Sequence, residues 1–114
     1  MLMNFIARNA ILVFAAAGCL TAGAYADSQE PGNAEKGKEL FQEKCGVCHF
    51  DDSNEKKIGP GLAGIKEGSL PSGKEATREN VIQNLNTGGN GMPAFEELLS
   101  DEEKTDIVAY VLSL

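Results

Sequence analysis

The pentapeptide Cys45-Gly46-Val47-Cys48-His49 constrains this chain more than any other feature. Two of the chain's three cysteines and its single histidine fall within it. Four chemistries use such a cluster. A structural zinc site needs four ligands, ordinarily with a second Cys/His pair further along, and no second pair follows residue 49. A thioredoxin-type redox pair follows a strand in a βαβ setting, whereas the flanks here are not strand-like. A plain disulfide suits an exported chain but leaves His49 without a role. Covalent attachment of haem c uses all three residues. Two thiols three residues apart lie on one side of a helical turn and reach both vinyl groups of one porphyrin, and the next residue presents its imidazole to the iron. The sequence therefore predicts one haem c, attached through Cys45 and Cys48, with His49 as an iron ligand.

Haem iron draws its second axial ligand from His, Met, Cys, Tyr or solvent. No other histidine exists, and Met92 is the only methionine beyond residue 3. It sits in Thr87-Gly88-Gly89-Asn90-Gly91-Met92-Pro93, whose glycines let backbone approach a planar ligand closely. A lone Met otherwise reads as core filler. A haem in need of a soft distal donor makes Met92 the expected ligand. A His/Met pair fills the coordination sphere and raises the reduction potential, which favours electron transfer over activation of a small molecule. The chain is accordingly expected not to be an enzyme.

The first 26 residues read as a cleaved signal peptide. A head carrying only Arg8 precedes an apolar run from Ala10 to Leu20, and Ala24-Tyr25-Ala26 offers the small side chains of a cleavage site. The run is shorter than the roughly 20 apolar residues a spanning helix needs. An uncleaved anchor and a lipid-anchored form acylated at Cys19 are the alternatives. The folded domain is then residues 27–114, periplasmic, with no membrane insertion after cleavage. The chain carries 10 Lys+Arg against 17 Asp+Glu, a net charge of −7, and loss of Arg8 makes it one unit more negative. That balance argues against nucleic acid, which requires a basic stripe, and against docking on anionic lipid. A domain this small relies on a staple, metal or cofactor to complete its core.

The chain resembles the small class I c-type cytochromes of the monohaem, short-chain bacterial and photosynthetic type. The resemblance rests on Cys45-Gly46-Val47-Cys48-His49, Ile58-Gly59-Pro60-Gly61-Leu62-Ala63-Gly64, Gly91-Met92-Pro93-Ala94-Phe95 and Asp106-Ile107-Val108-Ala109-Tyr110. It implies an all-α fold of three to four helices around one haem, with the first and last helices crossing where Gly37 and Phe41 meet residues such as Ile107 and Tyr110. It also implies that the Pro60 carbonyl orients the His49 imidazole and that Leu62 packs on the haem face. Without the resemblance, Pro60 reads as a turn proline between glycines.

The residues themselves mark three helices. Asn33 caps the first, which runs to about Gly46 with Ala34, Gly37, Leu40, Phe41 and Cys45 on one face. Thr77 caps a second, carrying Val81, Ile82 and Leu85 and ending at Gly88-Gly89. Ser100-Asp101-Glu102-Glu103 is a capping box opening the last, with Ile107, Val108, Tyr110, Val111 and Leu114 on its apolar side. Residues 50–57 and 66–75 read as polar loops. Glu96, Glu97, Asp101, Glu102, Glu103 and Asp106 form an acidic run, read first as a solvated face and otherwise as a docking patch for redox partners with basic surfaces. The expected function is a monomeric single-electron carrier in a periplasmic respiratory or related chain. A haem c subunit docked in a larger oxidoreductase and a haem-based ligand sensor are the alternatives.

Overall fold

The computed structural model describes residues 31–114. The expected signal peptide, residues 1–26, and Cys19 within it lie outside the described residues. Three helices follow in order: α1 (Ala34–Lys44), α2 (Arg78–Thr87) and α3 (Asp101–Val111), with one 3-10 turn at Ile65–Glu67 between α1 and α2. Among the described residues there is no strand, only isolated bridges between Ser69 and Glu75 and between Gly89 and Met92. The fold is all-α, as the sequence predicts.

Each helix begins where a polar side chain satisfies the free N–H groups of its first turn. Asn33 Oδ1 accepts from the Glu35 and Lys36 N–H groups, each at 3.0 Å. Thr77 Oγ1 accepts from Asn80 N–H at 3.2 Å. At α3 the capping box is reciprocal: Ser100 Oγ accepts from Glu103 N–H at 3.1 Å, and Ser100 N–H donates to Glu103 Oε2 at 2.8 Å. The acids Asp101, Glu102 and Glu103 crowd that first turn, where the helix dipole favours negative charge.

α1 and α3 cross at Gly37. A Cβ on Gly37 would collide with the Asp106 carbonyl and lie 3.0 Å from Tyr110 Cβ, so only glycine allows this approach. Phe41, one turn on, meets Tyr110 edge-to-face with ring centroids 5.5 Å apart. Phe41, Ile107 and Val108 are the most completely buried side chains and centre the core. Gly37→Ala should therefore lower the stability of the haem-loaded protein by about 2 kcal/mol, read as a shifted midpoint in denaturant. An unchanged midpoint would mean the helices separate freely at this point.

The structure corrects two expectations. Asp106 is not part of a solvated acidic face. It is 6% exposed, and its Oδ1 accepts from Asn33 N–H at 2.7 Å, fastening the start of α1 to α3. A face repeating every three to four residues turns 107, 108 and 111 onto α1, and Asp106 is carried to the contact with them. Glu103 is engaged in the cap, as the sequence predicts, which leaves Glu96, Glu97, Asp101 and Glu102 as the exposed acids of that run. Ala34, expected on the buried face of α1, is exposed because that face turns inward only from Gly37 onward. Lys104 lies 6% exposed beneath this patch, its Nζ donating to the Glu96 carbonyl at 3.1 Å.

Candidate functional site

The site is built at the end of α1. The Cys45 and Gly46 N–H groups both donate to the Phe41 carbonyl, each at 2.7 Å. This shared acceptor ends the helical ladder at Lys44, two residues before the expected Gly46. The chain keeps winding: Cys48 and His49 N–H both donate to the Cys45 carbonyl, at 3.0 and 2.9 Å. This turn brings Cys45, Cys48 and His49 to the wall of one cleft of about 410 Å³.

The segment after the pentapeptide folds back to hold the imidazole. His49 Nδ1 lies 2.7 Å from the Pro60 carbonyl oxygen. A carbonyl can only accept, so Nδ1 carries the proton and the Nε2 lone pair is left for another partner. Gly59 lies flat on the ring; a Cβ there would sit 2.6 Å from His49 Cε1. Its N–H donates to the Cys48 carbonyl at 2.7 Å. Lys57 braces the turn from outside, donating through Nζ to the Gly46 carbonyl at 2.7 Å while lying over the Phe50 ring at 5.1 Å. Leu62 is buried in the cleft wall, held by its N–H to the Phe50 carbonyl at 2.8 Å. Tyr110 ties the same segment to α3, its hydroxyl donating to Asp51 Oδ2 at 2.6 Å. Desolvation, followed by that hydrogen bond and the Asp51 and Asp52 charges, pushes the phenol up to about 12.

Met92 reaches the same cleft from the α2 side. α2 ends at Gly88, at φ 58°, and a tight turn follows. Gly89 N–H donates to the Met92 carbonyl at 2.9 Å and Met92 N–H to the Gly89 carbonyl at 3.0 Å. Asn90 and Gly91 between them both take positive φ, 52° and 90°, the pattern of a type I′ turn for which Asn-Gly is the preferred pair. Phe95 N–H then donates to the Leu85 carbonyl at 2.7 Å, returning the loop to α2.

The structure thus brings all six expected site residues, Cys45, Cys48, His49, Pro60, Leu62 and Met92, to one cleft. Its depth is apolar, walled by Phe41, Val81, Leu85, Phe95 and Ile107. The residues that sequence reading missed are Gly59, Lys57, Asn84 and the Asn90-Gly91 turn. Of these, the Asn-Gly pair is legible in the sequence; the others depend on which loops meet.

These side chains fit a haem c and not the competing chemistries. No group of three or more His, Cys, Asp or Glu side chains able to hold a metal ion occurs among the described residues, which removes the zinc reading. A redox-active dithiol needs a thiol pKa lowered toward neutrality. Burial, with the neighbouring Cys48 adding to it, instead pushes the Cys45 thiol up to about 11. An apolar cleft with two thiols on its rim, an imidazole with a free Nε2 and a thioether is the donor set of a thioether-linked, axially ligated porphyrin.

Residues 32–111 match the family described as cytochrome c oxidase, cbb3-type, subunit III. The cytochrome c6 of Rippkaea orientalis is 30% identical over 72% of this chain and 71% of its own length. The cytochrome bc1 complex cytochrome c subunit of Corynebacterium diphtheriae is 33% identical over 78% of this chain, which spans only 30% of that subunit. The solved structure of cytochrome c6 from the diatom Phaeodactylum tricornutum superposes with a TM-score of 0.58 at 32% identity, covering 72% of this chain and 93% of that one. The chain belongs to the cytochrome c family. Its cofactor is haem c, attached through Cys45 and Cys48, and its role is to carry electrons rather than to turn over a substrate.

Proposed function

We propose that this cytochrome is an exported, monomeric single-electron carrier, cleaved after Ala26 and working in a periplasmic respiratory or related chain. His49 and Met92 are its axial ligands, Pro60 the acceptor that orients His49, and Leu62 part of the haem-facing wall. The carrying observation is the placement of two protein donors on one cleft: the Nε2 of an imidazole whose Nδ1 is committed to Pro60 at 2.7 Å, and the Met92 thioether on the α2 side. Haem c supplies one iron that exchanges a single electron between its ferrous and ferric states. With His49 and Met92 both holding the iron, no position would stay open to bind and activate a small molecule, which weighs against the ligand-sensor reading. The apolar wall excludes water, which limits the reorganisation that accompanies each transfer.

Glu96, Glu97, Asp101 and Glu102, the exposed acids of the run after Met92, are available to a partner with a basic docking surface, giving encounter rates that fall with salt. A second reading, a haem subunit docked in a larger oxidoreductase, draws on Val47 and Ile58. They are 62% and 69% exposed beside the haem-binding turn, as an apolar contact would require. No helix of the described residues is long and apolar enough to cross a membrane.

The experiment is purification from a host that matures haem c, with intact mass and absorption spectra in both redox states. The expected result is the mass of residues 27–114 plus one haem, a monomer, and a low-spin spectrum with the Met-to-ferric-iron charge-transfer band. A high-spin spectrum with ready carbon monoxide binding would overturn the carrier reading in favour of an open iron. Isolation only within a larger complex would favour the docked subunit.

A further inference from the structure

α2 directs one polar side chain at the residue that the loop after it delivers. Asn84, on the cleft side of α2, places its Nδ2 3.7 Å from Met92 Sδ, within hydrogen-bonding range for sulfur. A thioether sulfur only accepts, which sets the amide nitrogen toward it. The geometry is held from both ends by backbone. Gly88 N–H donates to the Asn84 carbonyl at 2.9 Å, and Phe95 N–H donates to the Leu85 carbonyl at 2.7 Å. The loop carrying Met92 therefore starts and finishes on the stretch of helix that carries Asn84.

We propose that Asn84 is a positioning residue for iron ligation, donating into one lone pair of Met92 Sδ so that the other is presented to the iron. The proposal rests on Met92 as axial ligand. It carries a signed consequence. An N–H donated to sulfur draws electron density away from it and weakens its donation to iron. The ferric state needs that donation more, so the hydrogen bond raises the reduction potential. It also restricts rotation of a flexible side chain with three rotatable bonds, keeping the sulfur in place against competing ligands.

The test is made on the haem-loaded protein. Asn84→Leu keeps the side-chain volume and suits a helix but has no donor; Asn84→Ala supplies the same measurement if the leucine variant does not accumulate. The net contribution of one neutral hydrogen bond corresponds to about fivefold in an equilibrium constant. The ferric-to-ferrous equilibrium should therefore shift about fivefold toward ferric, a potential about 40 mV lower at 59 mV per tenfold for one electron. Ferric protein should also bind imidazole about fivefold more tightly, with the charge-transfer band displaced but present. Asn84→Gln, which retains the amide donor, should return these readouts toward the parent values. The sign separates this role from packing, because added apolar atoms beside the haem disfavour the charged ferric state and raise the potential. An unchanged or raised potential in the leucine or alanine variant overturns the proposal. The parallel Met92→Ala variant separates the two readings: if it too leaves the band and imidazole affinity unchanged, the axial assignment has failed; if it abolishes the band while Asn84→Leu changes nothing, only the role of Asn84 has failed.

Discussion

Met92→Ala should leave the haem attached, abolish the charge-transfer band, and open the ferric iron to imidazole and the ferrous iron to carbon monoxide. The fold should survive because the Met92 turn is closed by main-chain atoms. Gly89 N–H bonds the Met92 carbonyl and Met92 N–H the Gly89 carbonyl, and the positive φ values belong to Asn90 and Gly91. Alanine fits that frame, so the substitution removes the sulfur and little else. A thioether partner raises the potential of a His-ligated haem, so its loss should lower the potential by on the order of 0.2 V, a fraction of the roughly 0.8 V that axial ligands span. Redox titration with parallel ligand binding measures both effects. Parent-like potential and imidazole affinity would sink the assignment and return Met92 to the part of a core side chain.

The parts of this molecule that were legible in the sequence are those set by neighbours along the chain. Asn33, Thr77 and Ser100 cap the helices because a side-chain oxygen two or three residues from a free N–H finds it whatever else the protein does. The Cys45-to-His49 cluster is legible for the same reason, since one turn of backbone brings its three groups to one side. Glycine is costly inside a helix, and the α1–α3 approach at Gly37 supplies the reason for it. What could not be read depends on crossings between distant elements. Asp106 and Lys104 look like ordinary members of a charged run until α1 and the Glu96 carbonyl turn them into buried struts. Gly59 carries no local signal that it must lie on an imidazole ten residues earlier. Asn84 reads as a polar helix residue, and only the return of the loop from Met92 to Phe95 onto α2 gives it a sulfur to face.

Loss of the haem attachment should have the larger consequence for folding. The cleft of about 410 Å³ is bounded by Phe41, Leu62, Val81, Leu85, Phe95 and Ile107, which also make up much of the core. At about 24 cal/mol per Å³, a void of that size amounts to about 10 kcal/mol. That figure is an upper bound for a cleft open at its mouth, yet it is comparable with the entire 5–15 kcal/mol stability typical of a domain. The haem therefore acts as the missing part of the core, filling a cleft walled by side chains of α1, α2 and α3 beside the direct α1–α3 crossing. Cys45→Ala leaves a single thioether through Cys48 and should sharply reduce the yield of haem-loaded protein. The double variant Cys45→Ala with Cys48→Ala should yield a chain without attached haem, with far-ultraviolet circular dichroism lacking most of the native helix and no cooperative unfolding. A folded, cooperatively melting apoprotein from the double variant would contradict this account and mean that the three helices close on their own side chains.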